Sequence, residues 1–160
     1  MTEAEIKKHL DEAEKGPKNL AAAVSGLPDR VLRYKPAPDK WSILEIIGHL
    51  ADTELIHGYR LRQMMADEKP VIAPIDQDAW AKNLGYLDAS PAELVAQYGL
   101  NRHHNLRLLR RLKPADLNKS AWHPERNANV NLESIVQVFA SHDGNHLAHI
   151  ERLKKEAAKS

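Results

Sequence analysis

Four stretches of the chain repeat their apolar residues at helical spacing, and proline-containing connections separate them. This constrains the fold most, because the period-2 alternation of a half-buried strand is almost absent. The first stretch runs from about Thr2 to Val24. Thr2 and Glu5 have the form of a capping box, and Ile6, Leu10, Ala13, Leu20 and Val24 follow at helical spacing. Gly16-Pro17 interrupts this run and predicts a kink or two pieces, since proline cannot donate inside a helix. The second helix is expected to start near Trp41-Ser42, with Ser42 or Asp39 as its cap. Its apolar residues, from Ile43 to Met64, cover more than one stripe, which places it at the centre of the core. The third opens at Ser90-Pro91, with Glu93 three residues after the cap, and runs to about Leu112 before Pro114. The fourth begins near Asn131 and reaches about Glu156. Its stripe is Leu132, Ile135, Val136, Phe139, His142, His146, Ile150 and Leu153. Between them, 25–40 reads as mostly non-helical, 67–89 as loop with a short helix around Asp76–Asn83, and 114–130 as loop. The expected architecture is an all-α four-helix bundle with long ordered connections, one domain over residues 1–160.

Composition narrows the function classes. A chain of 160 residues can bury a core without covalent staples. The formal net charge is +1 and the basic residues are scattered, so the stripe expected for nucleic-acid binding is missing. There is no cysteine, which excludes disulfides, thiolate ligands and a cysteine nucleophile. The polar N-terminus MTEAEIKKHLDEAEK has no signal-peptide core, and no apolar run approaches the roughly 20 residues of a membrane span. The expectation is a cytoplasmic protein with a small-molecule substrate, no nucleic-acid partner and no membrane.

Histidine is the unusual residue, with nine in the chain, three of them in HDGNHLAH at 142–149. His142 and His146 are four apart, so on a helix they point about 40° from each other and one turn apart. That spacing lets two imidazoles share one ion. Both lie on the apolar stripe, where an unpaired imidazole costs desolvation energy. His149 is seven residues from His142, about 10.5 Å along the axis, and Zn–N bonds are near 2 Å, so one ion cannot easily bind both. A third ligand must come from elsewhere in the bundle. His9 reads as solvent-facing, His103 and His104 diverge on their helix, and His123 precedes Pro124 in a loop. His49 and His57 share the second helix two turns apart and cannot both join one ion. Burial favours His49, which lies in the most apolar part of the chain, but leaves His57 open.

Three segments resemble a known family. KPAPDKWSILEIIGHLADTELIHGYRLRQMM resembles the W-[ST]-x-x-[EQ]-x-x-x-H-[LI] stretch of the DinB/YfiT-like metalloenzyme family (the DinB-like domain). IDQDAW resembles its aspartate-rich turn between helices two and three. AWHPERNANVNLESIVQVFASHDGNHLAHIERL resembles its ending, an H-P-E loop followed by H-D-x-x-H-L-x-Q-I. The resemblance covers about residues 27–155 and implies His49, His142 and His146 as a metal-binding histidine triad. His149 stands where the family has Gln, and Arg126-Asn127 replace a common Gly after H-P-E. The resemblance further implies a homodimeric bundle and a divalent metal ion. Zinc or nickel comes first, with iron or manganese as alternatives. It also implies an activity that uses a low-molecular-weight thiol, since family members include thiol-S-transferases and a thiol-dependent isomerase.

Three imidazoles leave coordination positions open, as catalytic sites require. An ion there lowers the pKa of water towards about 7 and binds a thiol as thiolate, so ligand type does not choose between hydrolysis and thiol transfer. The leading expectation is a metal-dependent transferase using a low-molecular-weight thiol. The alternatives are a metal-dependent hydrolase and a non-catalytic metal- or ligand-binding bundle. Glu45, one turn before His49, and Asp52 are the weak catalytic candidates for a general base. Glu45, Asp52, Glu54 and Asp143 are all candidates to orient the imidazoles, although each reads first as a surface or helix-end charge. Asp76 and Asp78 are candidates to cap a cavity, Trp41, Trp80 and Trp122 to line the core or cavity. Arg60 and Arg102 are candidates to meet an anionic substrate, unless they are simply solvated.

Overall fold

The computed structural model describes residues 1–159. Its helices follow the expected phases. The first segment resolves into two pieces, α1 (Glu3–Ala13) and α2 (Gly16–Val24). The Thr2–Glu5 capping box starts α1. Pro17 sits in the first turn of α2, where a missing N–H costs nothing. The connection after Val24 is less irregular than expected: α3 (Asp29–Leu32) is a single turn that buries Val31 and Leu32. The long central helix α4 (Ile43–Ala66) is capped by Ser42, whose side chain accepts from Glu45 N while Glu45 reaches back to Ser42. Asp76 caps α5 (Gln77–Asn83) by accepting from Asp78 N and Ala79 N. Ser90 caps α6 (Pro91–Leu109), and Asn131 caps α7 (Leu132–Ala157).

One connection departs from the sequence reading. Segment 114–130 is more than a loop: it contains the antiparallel pair β1 (Ser120–His123) and β2 (Ala128–Asn131), with His123 opposite Ala128. Asn127 takes a left-handed φ of 47° at the turn, a conformation that Asn tolerates. Trp122 then ties the hairpin to the other long connection, donating to Pro70 O (2.9 Å) and accepting from Ile72 N (2.8 Å). Four-residue strands are too short to show a period, so the pairing is a tertiary outcome.

The arms α1/α2, α4, α6 and α7 form the bundle, with α4 packed most extensively on α6. The core divides into two apolar layers. One holds Ile6, Leu10, Leu61, Leu109, Val136 and Phe139. The other holds Leu20, Ile43, Ile47, Leu50, Tyr98 and Ile150. Between them each long helix changes character. On α4 the change falls at Glu54, on α6 at Arg102 and Asn105, and on α7 at Asp143, all buried. The bundle therefore has a polar waist between two oily ends.

Candidate metal centre

The waist carries the site. His49 projects from the second turn of α4, where flanking Gly48 lets Tyr86 pack within 2.5 Å of the position a Cβ would take. His142 and His146 project from one face of α7, four residues apart as the spacing predicts. One ring nitrogen from each of the three lies within 4.8 Å of the other two. Ring centroids are 5.3 Å apart for His49–His142, 4.7 Å for His49–His146 and 4.6 Å for His142–His146. Trp41 packs on His49 from the other side, at 4.9 Å between ring centres.

These nitrogens suit a metal ion. The Nε2 atoms of His142 and His146 face each other at 3.2 Å, and His49 Nε2 is buried without a hydrogen-bond partner. A buried unpaired nitrogen is costly, and facing imine nitrogens can share only one proton. Two nitrogens bound at about 2.0 Å in a tetrahedral site are about 3.3 Å apart, so the observed spacing matches one coordination edge. Burial pushes the His49 imidazole down to about 3, with His146 and His142 adding to the shift. Burial likewise pushes His146 down to about 4, and lowers His142. All three are therefore neutral near pH 7, the form that offers a lone pair.

The remaining histidines stand apart. His57 is held neutral by burial, down to about 3, and its ring lies 6.0 Å from that of His142. It is two turns along α4 from His49 and outside the converging group. His103 and His104 are exposed, and His123 is buried in the hairpin with its Nδ1 accepting from Arg126 N. His149 lies outside the trio and lines a cavity of about 860 Å³ with Lys35, Trp41, Glu45, Asp78 and Lys82, which none of the trio lines and which Trp41 joins to His49. A smaller cavity of about 530 Å³, lined by Ile6, Leu10, Arg110 and Leu112, lies at the far apolar layer and contains none of the histidines.

The nominated carboxylates are both engaged. Glu45 is tied to Ser42 and to Lys35 (2.7 Å). Asp52 accepts from the Tyr86 hydroxyl (2.7 Å) and from Gln97. Asp76 is spent on capping α5, whereas Asp78 lines the cavity. Trp41 lines it too, Trp80 is half-buried, and Trp122 is exposed on the hairpin. Arg60 donates to Ala73 O. Three expectations need correction. Arg102 is neither solvated nor open to a substrate, being 2 % exposed. Glu54 and Asp143 are not surface charges: both are buried and both bind Arg102. Their partners come from other helices, which no period within one segment reveals.

Neutral imidazoles that converge from two helices of a bundle define a nitrogen-donor site of the kind that suits zinc, nickel or iron. The chain belongs to the DinB superfamily, whose family model matches residues 12–150. A protein of Oceanobacillus iheyensis named "Putative metal-dependent hydrolase" is 30% identical over 155 residues, 97% of this chain and 89% of its own length. "Putative metal-dependent hydrolase YfiT" of Bacillus subtilis is 26% identical over 92% of this chain and 83% of its own. The solved structure of YfiT, described as a four-helix bundle of unusual topology, superposes with a TM-score of 0.91 at 24% identity. That match covers 99% of this chain and 90% of the YfiT chain, and it shows the fold.

Proposed function

We propose that the protein is a metal-dependent enzyme in which His49, His142 and His146 hold a divalent ion, zinc or nickel first and iron or manganese next. The reaction we assign it is transfer of a low-molecular-weight thiol to a small electrophile. The observation that carries the metal reading is the convergence of three neutral ring nitrogens, one buried with no partner; Trp41, which packs on His49, also lines a cavity large enough for a small molecule. The ion would supply a Lewis acid that lowers the pKa of a nucleophile in the cavity.

The protein's own groups then divide the work. Trp41 shields one side of His49 from water. Lys35, Lys82 and His149 present donors along the cavity. Thiol transfer is placed first on the family resemblance; Glu45 and Asp52 are both committed to other partners, so the nucleophile, thiol or water, would ionise on the ion rather than on a carboxylate base. The sulfur would bond to the electrophilic carbon, the leaving group would depart with its electron pair, and the thiol proton would pass to solvent. Hydrolysis is the second reading, supported by the names of the relatives.

The experiment is turnover of a model electrophile by metal-loaded protein, with and without an added thiol, the products identified by mass. Thiol adducts formed only by the loaded protein support transfer. Water adducts formed equally without thiol support hydrolysis. No turnover with any metal overturns the enzyme reading and leaves a binding bundle. A homodimer and a cytoplasmic setting belong to the same proposal. Exposed Leu55 and Tyr59, one turn apart on α4, are consistent with the dimer, which light scattering would test.

A further inference from the structure

The two helices that carry the three histidines are joined by a buried ion cluster that the proposed chemistry does not use. Arg102, on α6, lies between them at 2 % exposure. Its Nη1 donates to Asp143 Oδ2 (2.8 Å) and its Nη2 to Asp143 Oδ1 (3.0 Å), a two-pronged grip on α7. Its Nη2 also donates to Glu54 Oε2 (2.9 Å) on α4. Nη1 further reaches Ala13 O, at the end of α1, and Phe139 O. Asn105 holds the second Glu54 oxygen (3.0 Å), and Arg62 holds Asn105. Tyr98 and Phe139 pack their rings about the guanidinium, at 5.1 and 5.4 Å. Burial alone would lower the Arg102 pKa, but its bonds to Glu54 and Asp143 outweigh it and raise it, so the cation persists.

The positions of the two carboxylates relative to the ligands matter. Asp143 follows His142 directly and precedes His146 by three residues, while Glu54 lies five residues after His49. A buried ion pair is a poor source of net stability, since apolar residues of similar volume do as well or better. It is a good source of fixed geometry, because a guanidinium fork accepts two carboxylates in only a few arrangements. Ligand groups must be held within about 0.5 Å of their working positions by what surrounds them.

We propose that Arg102 is a positioning residue for the histidine site: by clamping Glu54 on α4 and Asp143 on α7, it sets the separation at which His49 meets His142 and His146. It rests on the reading that the three histidines bind metal, and its test separates the two. Cobalt(II) affinity, by competition with a chelator, and the visible absorption of the bound ion are measured on the full chain. Helix content is checked, and the temperature is kept well below each variant's unfolding midpoint.

Arg102→Lys keeps the charge and loses the fork. The triple variant Glu54→Gln, Arg102→Met, Asp143→Asn removes all three charges together, so folding does not leave a carboxylate unpaired. Leu10→Ala, in the apolar layer and outside the ion cluster, is the control for lost stability alone. The expected result is affinity weakened about tenfold or more, with a changed absorption spectrum, in Arg102→Lys and the triple variant. Leu10→Ala should keep both affinity and spectrum. Unchanged affinity and spectrum in whichever of the two Arg102 variants fold would overturn the proposal, as would equal weakening in Leu10→Ala. Failure of the unmodified protein to bind cobalt(II) would instead sink the three-histidine reading, and this inference with it.

Discussion

Two polar groups share the waist of the bundle, and they differ in how completely they are satisfied. Around Arg102, five hydrogen bonds to carboxylates and carbonyls tie the guanidinium to three helices, with Arg102 Nε and the neighbouring Tyr98 hydroxyl left unpaired. Around His49 the polar atoms converge but do not complete one another: His49 Nε2 has no partner, and the other two imidazoles face each other. A closed network holds structure, whereas an open one implies something added from outside. The same depth in the same bundle thus carries the proposed clamp and the proposed receptor.

This contrast can be broken most sharply at Arg102. Arg102→Ala strands Glu54 and Asp143 together in the interior, and should cost about 3–5 kcal/mol in denaturant unfolding at pH 7. A loss below about 1 kcal/mol would mean that the cluster is not the closed network described here.

The next effect belongs to the receptor. Zinc at 100 times its Kd should stabilise the unmodified protein and His149→Ala by about 2.7 kcal/mol, read as a rise in Tm. His49→Ala, His142→Ala and His146→Ala should show no such rise. A zinc-dependent rise retained in His49→Ala would remove α4 from the site.

Gly16→Ala probes the clamp from its outer wall. A Cβ there would meet the Asp143 carboxylate and lie 2.5 Å from Tyr98 Oη and 2.9 Å from Arg102 Nη1. The expected loss is about 1–3 kcal/mol by chemical unfolding, the cost of overpacking a filled site. A neutral outcome would show that the elbow between α1 and α2 has room to move.

The last effect is one of slope. In the metal-free protein burial pushes His49 and His57 down to about 3 and His146 to about 4, against about 6.5 when unfolded. The unfolded chain therefore binds more protons in this window. Stability is complete above pH 6.5 and declines as pH falls towards the folded values, by at most about 1.4 kcal/mol per unit for each histidine. Unfolding midpoints between pH 7 and 5 test this. A flat profile would mean that these imidazoles are not neutral in the folded state.

Much of this molecule is legible in its residues. The Thr2–Glu5 capping box, the break at Gly16-Pro17, the cap Ser90, the start of the last helix near Asn131 and the short helix after Asp76 follow from local spacing, because a cap acts within one turn. The shared face of His142 and His146 follows from helix geometry in the same way. The hairpin does not, since its strands are short and its tie to Pro70 and Ile72 crosses about 50 residues of chain. The choice of His49 over His57 needed more than burial, since burial holds His57 neutral as well. Position along α4 separates them.

By itself, then, the sequence determined the helices, their buried faces and two of the three converging histidines. Each of these is a consequence of backbone period and nearest-neighbour chemistry. The tertiary structure alone decided that Arg102, Glu54 and Asp143 are interior and mutually bound, 41 and 48 residues apart in the chain. A charge on a helix reads as solvated until its partner is seen. What makes burial tolerable is a counter-charge, and here it is supplied by a different helix.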